Sequence, residues 1–207
     1  LLSVKGIDLS LKDSNNKTPM INSFVKYNHD IINLIFNFYG DNIQSQTWQL
    51  NESFKELIKH FYGKNGTYGY RKKEKVTVKN EDEKIINRFL ELSNIDLNYN
   101  DECNSLLIFS CENNLINIVS ELIKKENVDI NLCDKYNGKT PLMIAISNEN
   151  IEIAEILIHS QKTNINARSF YMETALSIAA MKKMPKIVDL IINNPNFDPD
   201  ESRLNFC

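Results

Sequence analysis

Six glycines and five prolines are few for a chain of 207 residues. A β-sandwich or barrel needs turn chemistry roughly every ten residues, so the shortage disfavours both and points to helices. No apolar run is long enough to cross a membrane, and no secretory leader is visible. The chain opens on Leu1-Leu2 without a methionine, which leads us to expect a fragment of something longer. Cys103, Cys111, Cys133 and Cys207 form no Cys-x-x-Cys pair and keep no ligand spacing with His29, His60 or His159. That excludes a zinc site and a disulfide framework as expectations, and no metal or cofactor is expected. Cys111 reads as a small packed residue and Cys133 as an exposed turn residue. A reducing, cytoplasmic setting is the default. The sequons at Asn16, Asn51 and Asn65 arise readily by chance in a chain so rich in Asn. An excess of one charge is lacking too: 24 Lys and Arg face 27 Asp and Glu, a net charge of −3. Nucleic acid and anionic membrane would therefore have to be bound locally, if at all.

What the chain has is a period. IDLN at 95–98, VDIN at 128–131 and TNIN at 163–166 place their second residues at 96, 129 and 164, spacings of 33 and 35. FDPD from Phe197 puts Asp198 a further 34 on, and IDLS puts Asp8 34 before Asn42. Ahead of each marker runs a pattern of two apolar residues, two variable ones, then two more apolar. It reads Ile118-Val119 with Leu122-Ile123, Ile153-Ala154 with Leu157-Ile158, and Ile187-Val188 with Ile191-Ile192. Earlier copies are Ile31-Ile32 with Ile35-Phe36, and Ile85-Ile86 with Phe89-Leu90. Residues at i, i+1, i+4 and i+5 share one helical face, so each copy predicts an amphipathic outer helix.

Between marker and outer helix lies a second apolar segment, opened by Thr18-Pro19, Ser105-Leu106, Thr140-Pro141 or Thr174-Ala175. A Thr or Ser at the N-cap accepts a backbone N–H, and Pro in the first helical position has none to leave unpaired. Five residues on stands a small side chain, Ser23, Ser110, Ala145 or Ala179, which lets inner helices approach closely. Segments this short are unstable alone, so stability must come from stacking.

The run GKTPLMIAI at 138–146, followed by NIEIAEILI and NIN, resembles the ankyrin repeat. The likeness covers 1–42 and 94–200, with 43–93 divergent. It implies an all-α, ankyrin-type solenoid of stacked helix-turn-helix repeats with short β-turn connections. The expected order is a partial repeat at 1–7, repeats at 8–41, 96–128, 129–163 and 164–197, a degenerate repeat at 42–95, and a partial one at 198–207. The glycine that usually ends the inner helix is replaced by Tyr27, Asn113, Glu149 and Lys183, so altered inter-helix turns and modest stability are expected.

The resemblance implies that a concave face of turn tips and inner helices binds an unidentified protein partner, as a noncatalytic scaffold. Its contact positions fall here on Lys12, Ser14, Asn15, Val25 and Lys26; on Asn100, Glu102, Glu112 and Asn113; on Lys135, Tyr136, Lys139, Ser147 and Asn148; and on Arg168, Phe170, Tyr171, Glu173, Met181 and Lys182. Tyr136, Phe170, Tyr171 and Met181 have no core to fill there. They compose an interface hot spot, or Phe170 and Tyr171 pack between adjacent turns.

The period breaks between Asn42 and Asp96. Ser53 to Tyr62 reads as a helix and Glu81 to Leu92 as an outer helix, leaving an insertion near 63–80. Its glycines are in the wrong order for a phosphate-binding loop. Arg71, Lys72, Lys73 and Lys75 beside Tyr68 and Tyr70 allow a nucleic-acid adaptor as an alternative, but Glu74 interrupts them and a solvated loop is the simpler reading. A substrate-recruiting or targeting module of a larger protein is the other alternative. No nucleophile, base or acid constellation stands out: His29 and His159 read as exposed helix ends and His60 lacks a partner by sequence, so no enzyme is expected. Oligomeric state is open.

Overall fold

In a computed structural model, residues 11–39, 47–63, 79–92, 95–99 and 104–199 are described. They carry ten helices and fall into two compact units, 1–96 and 97–207.

The first unit holds α1 (Pro19–Val25), α2 (His29–Tyr39), α3 (Thr47–Gly63) and α4 (Asn80–Leu90). Thr18 starts α1 by accepting the N–H of Ile21 at 3.4 Å, with Pro19 in the first helical position. α1 packs against α2 and α3. α3 begins earlier than the sequence pattern suggests, and Leu50 joins Phe54, Leu57 and Ile58 in its buried stripe. One side chain from each helix meets at Phe89: ring centroids lie 5.4 Å away for Phe24, 5.4 Å for Phe36 and 5.3 Å for Phe54. Such ring pairs add to the area buried, so this unit is centred on four packed aromatic rings. The basic residues at 71–75 lie outside the described residues.

The second unit stacks α5 (Leu106–Glu112) with α6 (Ile116–Lys124), α7 (Pro141–Ser147) with α8 (Ile151–His159), and α9 (Ala175–Met181) with α10 (Pro185–Ile192). α7 packs against α5 and α9, and α8 against α6 and α10. This is the stacking of an ankyrin-type solenoid. Ser105, Thr140 and Thr174 cap α5, α7 and α9 through their hydroxyls. The small residues Ser110, Ala145 and Ala179 are all buried where the inner helices meet.

The inter-helix turns are not altered by their missing glycines, contrary to expectation. Tyr27, Asn114, Glu149 and Lys183 each adopt positive φ, between 48° and 60°. The position in the second copy is Asn114, one residue after the Asn113 inferred from sequence; Asn113 is the C-cap of α5. In every copy the N–H of the next residue reaches back to the small residue's carbonyl: Asn28 to Ser23 at 3.0 Å, Leu115 to Ser110 at 2.9 Å, Asn150 to Ala145 at 2.9 Å, Met184 to Ala179 at 3.0 Å. This six-residue closure is that of a Schellman end, and it holds the left-handed residue in place although side chains there cost about 1 kcal/mol.

A line of asparagines ties successive turns of the second unit. Asn98 donates to the Asn127 carbonyl at 2.7 Å and accepts the N–H of Asp129 at 2.8 Å. Asn131 does the same to Lys162 and Asn164, and Asn166 to Asn196 and Asp198. These are the fourth residues of the IDLN, VDIN and TNIN markers, so the repeated sequence is the repeated bond. Cys111 is buried, and burial pushes its thiol up. Cys133 departs from the reading as an exposed turn residue, and from the expectation of no disulfides: it is half-buried and disulfide-bonded.

Candidate functional site

Two turn tips of the second unit, at 134–139 and 169–173, are each built around one polar side chain. The Asp134 carboxylate, itself buried, accepts the N–H groups of Tyr136, Asn137 and Lys139 and the Asn137 side-chain amide, at 2.6 to 3.3 Å. Backbone bonds close the same turn, Asp134 N–H to the Lys139 carbonyl at 2.9 Å and Gly138 N–H to the Asp134 carbonyl at 3.1 Å. In the next turn Ser169 takes this place, its hydroxyl accepting the N–H of Tyr171 and of Glu173. Asp13 does so in the first unit, accepting from Asn15, Lys17 and the Asn22 side chain. The Asn22 amide, with the backbone N–H groups of Lys17 and Asn15, holds the Asp13 carboxyl below its ordinary range against a small desolvation.

With the backbone spent on these bonds, the intervening side chains point outward. Tyr136, Phe170, Tyr171, Met172 and Met181 are all exposed, Phe170 by 53% and Tyr171 by 61%. The two tips touch: the Phe170 N–H donates to the Asn137 carbonyl at 2.8 Å, and its ring covers the Cα of Gly138. Of the two sequence readings of Phe170, packing between adjacent turns is seen here, with the rest of the ring exposed to solvent. Lys139 pairs with Glu173 at 3.0 Å and reaches Ser147 at 3.4 Å, joining three of the expected contact positions. Lys182, the C-cap of α9, pairs with Glu149 at 3.0 Å, a residue the contact pattern did not include. Lys135 and Asn148 are exposed, and Arg168 and Glu112 half-buried. Asn100 and Glu102 lie outside the described residues.

In the first unit Lys26 is exposed at the end of α1, and Lys12 lies 4.3 Å over the ring of Trp48. The sequence also missed a polar cluster here. Asp82, buried near the start of α4, accepts from Tyr27 Oη at 2.8 Å and from the Lys79 N–H at 2.8 Å, and lies 2.9 Å from His29 Nε2. The Tyr27 ring stacks on His60 with centroids 3.8 Å apart. So His29 is not a free helix end, and His60 has a partner. Burial alone would raise the Asp82 carboxyl; the Lys79 N–H and the His29 and Tyr27 side chains outweigh it and hold it below the usual range. Burial, then the hydrogen bond and charge of Asp82, push the Tyr27 phenol far above its ordinary value. His159 is exposed and bonds the Glu155 carbonyl at 2.7 Å, a helix-end role. Among the described residues no group of three or more acidic, His or Cys side chains is arranged to hold a metal, and no helix is long and apolar enough to cross a membrane.

Capped inner helices, left-handed closures and the asparagine line recur in register, and residues 75–169 match the family model described as ankyrin repeats (3 copies). Residues 75–169 are ankyrin repeats. The match takes in 75–93, which by sequence alone read as divergent, and ends at Ser169. Beyond it, α9 and α10 repeat the same cap, closure and bonds. No curated protein matches the chain significantly. Ankyrin repeats generally mediate protein–protein interactions and are typically noncatalytic.

Proposed function

We propose that this chain is a noncatalytic recognition scaffold whose second unit grips a partner protein with the tips of its turns and the adjoining ends of its inner helices. The observation that carries the reading is that Tyr136, Phe170, Tyr171 and Met172, large apolar side chains, stand exposed on hydrogen-bonded turns, with Met181 exposed at the end of α9. Rigid aromatics on an ordered frame lose little entropy on binding, which is why they dominate interface energetics. Lys139–Glu173 and Lys182–Glu149 supply polar contacts beside them.

The test compares capture of partners from a cell extract by the wild-type chain, by a Tyr136→Ala/Phe170→Ala/Tyr171→Ala variant, and by an outer-helix control, Glu152→Ala/Lys124→Ala. A partner retained by wild type and control but lost from the triple variant supports the reading. Equal retention by all three refutes it. A charge-reversed 71–75 segment serves as the arm for the nucleic-acid alternative, whose binding would fall steeply with salt.

A further inference from the structure

The turn between Asp134 and Lys139 holds a reactive pair. Gly138 sits at φ 64°, where a side chain adds strain, and a Cβ there would come within 2.4 Å of the Phe170 ring, so the packing favours glycine. The residue before it is Asn137, whose side-chain amide reaches the Asp134 carboxylate at 3.2 Å. An Asn followed by Gly is the pair in which the next backbone nitrogen meets least obstruction on its way to the Asn side-chain carbon. We propose that Asn137–Gly138 is a site of spontaneous deamidation whose product opens this turn and unseats Phe170.

The step balances with water alone. The Gly138 backbone nitrogen, giving its proton to solvent, attacks Asn137 Cγ; the new N–C bond forms, the Cγ–Nδ2 bond breaks, and Nδ2 leaves as ammonia after taking a proton from solvent. Water then opens the five-membered imide at either carbonyl, leaving aspartate or isoaspartate. Nothing is oxidised or reduced. Reaction is gated by the turn, because the Gly138 N–H is engaged by the Asp134 carbonyl at 3.1 Å and must be freed first. Openings of an exposed turn supply that access.

The product cannot remake the turn. Where an amide donated to Asp134 Oδ2, a carboxylate now faces a buried carboxylate across about the same 3.2 Å, a like-charge contact with the donor gone. An isoaspartyl linkage also lengthens the backbone by one carbon, displacing the Asn137 carbonyl that holds the Phe170 N–H at 2.8 Å. The change is one-way, and it falls on the exposed tip whatever that tip binds.

The experiment ages the intact chain in mildly alkaline buffer, with Asn137→Gln beside it and a urea-unfolded sample as the reference for unhindered reaction. Peptide mass mapping separates Asn137 from Asn65, the other Asn in an Asn-Gly pair. The expected result is a gain of one mass unit at Asn137, absent from Asn137→Gln. In the aged protein and in Asn137→Asp, the Phe170 amide should exchange hydrogen about tenfold faster, while the Val119 amide in α6 is unchanged. An Asn137 that stays amidated in the folded chain while the unfolded sample converts fully overturns the site. Conversion with Phe170 exchange unchanged overturns the coupling.

Discussion

Phe170 and Gly138 are interlocked: the ring lies where a side chain at 138 would begin, its Cδ1 only 2.4 Å from the missing Cβ. Gly138→Ala meets both this clash and a positive φ. It should cost about 1 to 3 kcal/mol in urea unfolding, more than an exposed turn substitution usually does. Phe170→Ala removes the clash but not the strain, so the double variant should be less destabilised than the two single effects added together. Strict additivity would show that the ring does not rest on the glycine.

The asparagine line makes a second prediction. Asn131 donates to one backbone group of the following turn and accepts from another, at 2.8 and 2.7 Å. Asn131→Ala should lower stability by about 1 to 2 kcal/mol, since two bonds are lost but the site is exposed enough for water to replace part of them. Asn131→Asp keeps the acceptor and loses the donor, and should fall between wild type and Ala in the same denaturant titration.

Two residues in the same left-handed position should respond oppositely to glycine. Lys183 has an exposed side chain and φ 56°, so Lys183→Gly should relieve strain and stabilise by about 0.5 to 1 kcal/mol. Tyr27 has φ 48° but packs on His60 and donates to buried Asp82. Tyr27→Gly should destabilise the first unit. Thermal melts of the two variants check both signs.

Asp82 gives the first unit an acid sensitivity. Its folded carboxyl lies below the ordinary range because the Lys79 N–H, His29 and Tyr27 overcome the opposing effect of burial. A carboxyl depressed in this way contributes stability above its unfolded pKa, about 3.9, and that contribution is lost as pH falls through the folded value. Asp82→Asn should therefore lower stability at neutral pH and flatten its fall below about pH 4, measured as urea midpoint against pH.

Much of the fold was legible because its rules are local. Thr and Ser caps, Thr-Pro starts and paired apolar residues act within a turn or two of helix, and the marker asparagines recur with the period. The left-handed closures were misjudged for a reason of the same scale: glycine is only the cheapest occupant of positive φ, and the bond from Asn150 to Ala145 forms equally well around Glu149. What was not legible depends on distance along the chain. Tyr27 and Asp82 are 55 residues apart, across the stretch where the sequence period breaks, and no spacing rule joins them. Likewise Phe170 reads as exposed or packed until the Asn137 carbonyl and Gly138 are seen beneath it. The turn-forming roles of Asp134 and Ser169 were hidden because one acidic and one neutral side chain do the same work.

The central claim, that turn tips and inner-helix ends of the second unit form a recognition face, is tested most directly by hydrogen exchange on the chain with and without its captured partner. The account predicts slowed exchange at 134–139, 169–173 and around Met181 and Lys182, with outer helices α6, α8 and α10 unchanged. Protection confined to those outer helices, or to the first unit, would contradict it.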